Sequence, residues 1–288
     1  MFIQSLQNAL DFGVEVKHKV DIANNVIFYP GPSPKGSPVY IVSTYGVTQE
    51  GGRKAIEVEL MPSLETAGAL YTEHAVNIHG SSTHIVGMDQ CGSDNKAGIA
   101  TTLSNVPTDP IDTSGNPVIT GSPAKQYNTA NLSLADLINH YKGMADFTYD
   151  YASSQTLSGM SDQWGTPSAS DTTTPIAYNG PMKIVYANMH GNTLTLSGGS
   201  HGAGILLVDG NVDLHGGFTW YGVIIATKAV DYTGGGQKNI TGAVMCAETA
   251  TVQVDIGGNA GILYCSTAMN KIKNIISPFR ITRWREVY

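Results

Sequence analysis

The sequence predicts a mainly β protein. Its body is a right-handed parallel β-helix-like stack, with an N-terminal α-helix packed on it and one more helix in an insertion. Three observations carry this reading. Only 14% of residues are charged, while 33 of 288 are glycine, a composition suited to strands joined by tight turns. A glycine-led apolar segment recurs about every 20 residues, a period at which stacked coils bury what one coil cannot. The recurring segments are also apolar at both parities, as in sheets covered on both faces.

In chain order, residues 1–20 carry Ile3, Leu6, Leu10 and Val14 at i, i+3, i+7 and i+11, one stripe of a helix. Lys17, His18 and Lys19 crowd its end, where cations suit the helix dipole. The first domain is therefore taken as 1–25, ending at Asn24-Asn25, before the turn-rich Pro30-Gly31-Pro32-Ser33-Pro34. A second region, 26–100, opens with a β-hairpin. Tyr40–Tyr45 and Lys54–Leu60 alternate and are rich in β-branched residues, with Gly51-Gly52 between them.

The repeat begins in that region. Residues 68–80 align without a gap on 204–216, both glycine-led and both ending in a large aliphatic residue, His and Gly. Further leading glycines fall at 222, 242 and 261, so the steps from 204 are 18, 20 and 19. A degenerate member lies at Lys183–Asn188. Leu206, Ile224, Val244 and Leu263 then form one inward ladder, and Val208, Ala226, Cys246 and Cys265 the next. The opposite parity, including Ile205, Val223 and Met245, needs an outer cover, for which the N-terminal helix is the longest amphipathic candidate. Residues 101–180 interrupt the coils. Within them Ser133-Leu134-Ala135-Asp136 resembles a capping box, opening a helix at about 133–146. The coils and a C-terminal tail occupy 181–288.

Charge and hydropathy exclude some functions. A net charge of −7, with no basic cluster beyond the tail from Lys271 to Arg285, does not suit nucleic acid. No 18-residue apolar window and no signal peptide is visible, so the chain reads as cytosolic or as one whose targeting segment was removed.

Several side chains are candidates for chemistry. Cys246 and Cys265 occupy equivalent coil positions, which allows either a disulfide or two small buried hydrophobes, with Cys91 left over. His74, His79 and His84 are evenly spaced, yet His79 and His215 share one repeat position, as repeated turn chemistry would require. Asp89 and Asp94, and Asp109 and Asp112, surround glycines and are weak Ca²⁺ candidates without EF-hand spacing. No other metal and no cofactor is expected. A carbohydrate-active enzyme needs clustered carboxylates on one face. Asp213, Asp231 and Asp255 recur in the second strand of each coil, with no arginine beside them.

The order of elements resembles the PilX-type minor pilins, prepilin-like proteins of type IV pilus assembly. The likeness rests on the 1–20 helix and the strand pair Tyr40–Thr44 and Gly52–Val58. It continues through Gly68–Tyr71, Val76–Gly80 and the Met88-Asp89-Gln90-Cys91-Gly92 loop, then the coils with Phe218–Gly222, and ends on Pro278–Glu286. It covers most of the chain outside 101–180. The resemblance implies a structural minor pilin without catalysis, near the pilus tip at the cell surface, contacting other pilins or tip proteins and surfaces outside the cell. It implies inner-membrane residence before assembly, through a leader and apolar helix half absent from this sequence, and 1–20 as the soluble remainder of that helix. The alternative is a secreted β-helix carbohydrate-active enzyme or adhesin.

Overall fold

The computed structural model describes residues 11–29, 37–47, 53–62, 64–158, 163–167, 171–233, 235–247, 254–276 and 279–287. The chain is mainly β and divides into two compact units, Met1–Glu65 with Ser277–Tyr288, and Thr66–Ile276.

The first unit opens with β1 (Asp11–His18), a short pair β2 (Phe28–Tyr29) and β3 (Ser37–Pro38), then β4 (Tyr40–Val47) and β5 (Arg53–Pro62). The expected helix is overturned over 11–18. Residues 1–10, with three of the four stripe positions, lie outside the described residues. Physically, Val14 and Val16 alternate with Glu15 and Lys17, and this period of two pairs antiparallel along β4 from Asp11↔Val47 to His18↔Tyr40. The expected hairpin is present, with Val42 opposite Val58. The Pro30–Pro34 linker, Gly51-Gly52 and Pro278 fall outside the described residues.

The second unit begins with β6 (Gly68–Thr72), β7 (Val76–His79), β8 (His84–Val86), β9 (Ala97–Thr101), β10 (Ile111–Ser114), β11 (Val118–Thr120) and β12 (Lys125–Gln126). Helix α1 (Leu134–Tyr141) follows, continued by a 3-10 turn at Lys142–Met144. Then come β13 (Phe147–Asp150), β14 (Gln155–Ser158), β15 (Lys183–Ser197), β16 (His201–Leu214), β17 (Thr219–Ala226), β18 (Val230–Tyr232), β19 (Lys238–Cys246), β20 (Val254–Ile256) and β21 (Ala260–Leu263). Helix α2 (Ser266–Lys273) closes this unit, and β22 (Phe279–Val287) pairs antiparallel with β5.

All strands of the second unit belong to one curled parallel sheet. The repeat alignment is realised in the register. Gly204, Gly222 and Gly242 pair in succession, and Val244 pairs with Leu70, which places Gly68 two residues before that pair as Gly242 stands before Val244. The degenerate member also stacks, with Val185 on Leu206.

One rung departs from the expected order. β19 carries two neighbours along one edge, the following β21 against Lys238–Thr241 and the chain-distant β6 against Val244–Cys246. Leu206, Ile224 and Val244 do form a ladder, but its next member is Leu70. Leu263 pairs with Thr241 instead. The adjoining column is Val208, Ala226, Cys246 and Thr72, without Cys265. Gly261 stands opposite Asn239, outside the glycine column, and an added Cβ there would meet the Thr172 carbonyl oxygen at 2.4 Å. It is glycine because a loop crosses it. The start and end of this unit therefore share a rung.

Both faces of the β17–β19 stretch are buried, as its composition requires, but the cover comes from this unit's own insertion and α2. Helix α1 packs over β16 and β17 through buried Leu134, Leu137, Ile138 and Tyr141. The preceding loop is pinned by Tyr71, whose hydroxyl donates to Ala130 O at 3.2 Å and accepts from Leu132 N at 3.1 Å. Helix α2 packs over β16, β17 and β19. Ile176, Ala203, Tyr221, Cys265 and Ala268 make one buried cluster, flanked by Cys91, Tyr178 and Met182. The capping box is not formed. Ser133 starts α1 in a left-handed conformation (φ 50°) with no side-chain cap bond.

Candidate functional site

The strongest constellation of titratable groups follows from the repeat. The second strand of each rung alternates, with Val212 and Leu214, Val230 and Tyr232, and Val254 and Ile256 buried. Period two sends the residues between them to the other, part-exposed face. In register, these form a column: Thr195, Asp213, Asp231, Asp255, Asn77 and Asp112. Successive rungs stand ~4.8 Å apart, so neighbouring carboxylates repel unless they are partnered.

They are partnered. His215 Nε2 lies 2.8 Å from Asp213 Oδ1, and Thr195 Oγ1 donates to Asp213 Oδ2 at 3.4 Å. Thr233 Oγ1 donates to Asp231 Oδ1 at 2.6 Å. Asn77 Nδ2 donates to Asp255 Oδ1 at 3.1 Å, and His79 Nε2 sits 3.1 Å from the same oxygen. Lys238, buried at the start of β19, donates to Thr233 O at 2.5 Å with its ammonium 5.4 Å from the Tyr232 ring. Burial lowers the Lys238 pKa, and Asp231 partly opposes this. Burial raises the Asp213 pKa, with His215 opposing and Asp231 adding.

The Asp213 shift sets a pH-dependent expectation. A carboxyl whose folded pKa is raised favours the folded state only while protonated, so its ionisation destabilises as pH rises from the unfolded towards the folded pKa. Asp213→Asn is expected to raise the melting temperature at pH 7, and the gain should vanish on acidification below the unfolded carboxylate pKa of about 3.9. Melting curves of both proteins across pH 3–8 check this. A gain that is constant with pH would contradict it.

The other candidates have structural employment. Asp89 accepts from Cys91 N (3.1 Å), Asp94 N (2.9 Å) and Ser266 N (3.0 Å), joining its loop to the first turn of α2. Burial opposes ionisation of Asp89, but the Ser266 side chain and these amides outweigh it and hold the pKa low. Asp94 pairs with Lys96 and accepts from Tyr264 Oη. Asp109 accepts from Ile111 N, Lys125 Nζ and Tyr127 Oη, so a lysine already occupies that carboxylate. Asp112 is exposed at the end of the carboxylate column. Among the described residues, no group of three or more His, Cys, Asp or Glu could hold a metal ion. Of the evenly spaced histidines, His79 alone joins the column.

The disulfide expectation is corrected. Cys91 bonds Cys265, and Cys246 is a buried free thiol whose pKa burial pushes up to about 12. Cys265 lies beyond the end of β21, where its Sγ accepts from Ala268 N at 3.4 Å at the start of α2. Cys246 instead meets the Tyr71 carbonyl oxygen.

Sequence reading missed both histidine–aspartate contacts of the column. Asp213-x-His215 was legible as an i, i+2 pair on one strand face. His79–Asp255 was not, because it requires knowing that the rung from 76 stacks on the rung from 254.

The fold and this column define a class, a mainly β protein with a stacked parallel sheet and a carboxylate–imidazole row on one face. No family model, curated protein or solved structure matches the chain. No helix among the described residues is long and apolar enough to cross a membrane.

Proposed function

We propose that the protein is a structural component of a type IV pilus-like surface filament, a minor-pilin-like subunit that assembles with other pilins or tip proteins and catalyses nothing. The same reading takes its parallel body as a right-handed β-helix. One observation carries it, the face of the four-stranded sheet β1-β4-β5-β22. Val16, Val42, Val58 and Trp284 stand in one row across its strands. Val16 is 47% and Trp284 68% exposed, with Ile56 and Ile281 exposed nearby. Exposed apolar side chains gathered on one sheet face support a reading in which that face meets a partner. The Cys91–Cys265 disulfide also fits an oxidising, extracytoplasmic location.

Filaments sheared from the surface of the source cells and probed with antibody to this chain test the reading. The chain is expected in the sheared filament fraction, together with pilins. Recovery only as a free monomer in the medium would overturn it. A second reading, a carbohydrate-active enzyme, is favoured by one feature: adjacent carboxylates in the column stand one rung apart, near the separation of about 5 Å used by retaining glycosidases. Polyuronate cleavage that is abolished by Asp231→Ala would establish that reading instead.

A further inference from the structure

The four-stranded sheet ends in two edge strands, β1 and β22, and among the described residues neither pairs on its outer side. An open edge is a template for another strand, and natural edges are commonly blunted by charge. The two edges differ in this respect. β22 carries Arg280, Arg283 and Arg285. Pairing β22 with itself about Arg283 or Trp284 sets arginine against arginine, which guards this edge against its own copy in those registers.

β1 has the opposite character. Lys19 donates its amide to Val39 O at 2.7 Å, just beyond the β1–β4 ladder. Antiparallel alternation therefore turns the odd-numbered amides of β1 towards β4 and leaves those of Val14, Val16 and His18 facing the free edge. An antiparallel copy of β1 centred on Val16 meets this edge in a self-complementary way. Val16 pairs with Val16, and Val14 with His18, through backbone hydrogen bonds. Glu15 of each copy then stands opposite Lys17 of the other, in the non-hydrogen-bonded positions where side chains approach most closely.

In the single chain, Glu15 and Lys17 satisfy each other along the strand at 2.7 Å, at 37% and 64% side-chain exposure. Cross-pairing exchanges this one contact for two across the interface, on the charged side of the sheet. It also joins the apolar rows of two sheets into one.

We propose that β1 is a homodimerisation edge. Two copies of this chain pair antiparallel about Val16, forming one continuous eight-stranded sheet around a two-fold axis. The partner is a second copy because the charge pattern is its own complement.

Sedimentation equilibrium of the whole chain tests this. The expected mass is twice 30.5 kDa. Lys17→Glu and Glu15→Lys each place like charges opposite one another and are expected to weaken the dimer by roughly tenfold or more. The double variant Glu15→Lys/Lys17→Glu restores opposite pairs and is expected to restore the dimer. Arg283→Glu, on the other edge, is expected to leave it unchanged. These are exposed surface positions, and far-UV circular dichroism confirms that each variant is folded. A wild-type chain that stays monomeric to about 100 µM overturns the proposal. So does a dimer indifferent to both single reversals, a double variant that remains monomeric, or a dimer lost in Arg283→Glu.

Discussion

Replacing Gly222 by alanine is expected to destabilise the second unit by about 4 kcal/mol or more, from left-handed strain together with overpacking. The leading glycines of three successive rungs all have positive φ, +124° at Gly204, +133° at Gly222 and +143° at Gly242. A side chain rarely adopts that conformation. The space is closed as well. An added Cβ at Gly204 would lie 2.0 Å from Lys183 O, at Gly222 2.1 Å from Gly204 O, and at Gly242 1.9 Å from Gly222 O. Each obstacle is backbone of the rung before, so it cannot swing aside as a long side chain would. A loss of this size corresponds to a melting temperature lower by roughly 10 °C. Gly235→Ala is the control, since a Cβ there meets nothing within 4 Å and its φ is ordinary. It should melt within about 0.5 kcal/mol of the wild type. If Gly222→Ala melted with the control, the rungs would not stack through this column.

Loss of the Cys91–Cys265 bond is expected to have a comparable effect. It closes a loop with a sequence separation of 174. In the chain-entropy model, a loop of that length restrains the unfolded state by about 5 kcal/mol. The bond holds the 88–96 loop against the end of β21, where Gln90 N also donates to Tyr264 O at 2.9 Å. It lies beside the cluster of Ile176, Tyr221 and Ala268. Cys91→Ser/Cys265→Ser should therefore melt far below the wild type, and dithiothreitol should lower the wild type towards the variant while leaving the variant unmoved. The folded wild type should show no thiol reactive towards iodoacetamide, and the unfolded, unreduced chain one, at Cys246. A peptide map joining Cys246 to either other cysteine would refute this pairing.

The cysteine result illustrates how far the sequence could be read. The glycine-led repeat was legible, and so was the gap-free match of 68–80 to 204–216. Both leave a local mark, the first in the positive φ of Gly204, Gly222 and Gly242, the second in side-chain period. The demand for cover on both faces was legible too, from apolar residues at both parities. Rung order was not. Each rung of such a stack presents nearly the same apolar edge to its neighbours, so similarity between repeats shows that they stack without showing which touches which. Leu263 and Cys265 were consequently placed in columns that belong to Leu70 and Thr72.

The carboxylate column was half legible for the same reason. Asp213 and Asp231 are neighbours in sequence order and in space. Asn77, His79 and Asp112 join Asp255 only because the chain begins its parallel body in the middle and adds rungs from both directions. At the N-terminus, Val14 fits a helical stripe and a strand equally well, and the choice falls to β4, whose backbone satisfies every second amide of 11–18. Local sequence alone thus determined the unit of construction, a short β-branched strand after a glycine corner, because sterics and side-chain alternation act over a few residues. Tertiary structure decided which units meet, which cysteines bond and which acids share a column, because those choices depend on contacts between residues as far apart in the chain as Ala55 and Val287, whose closure the local pattern does not encode.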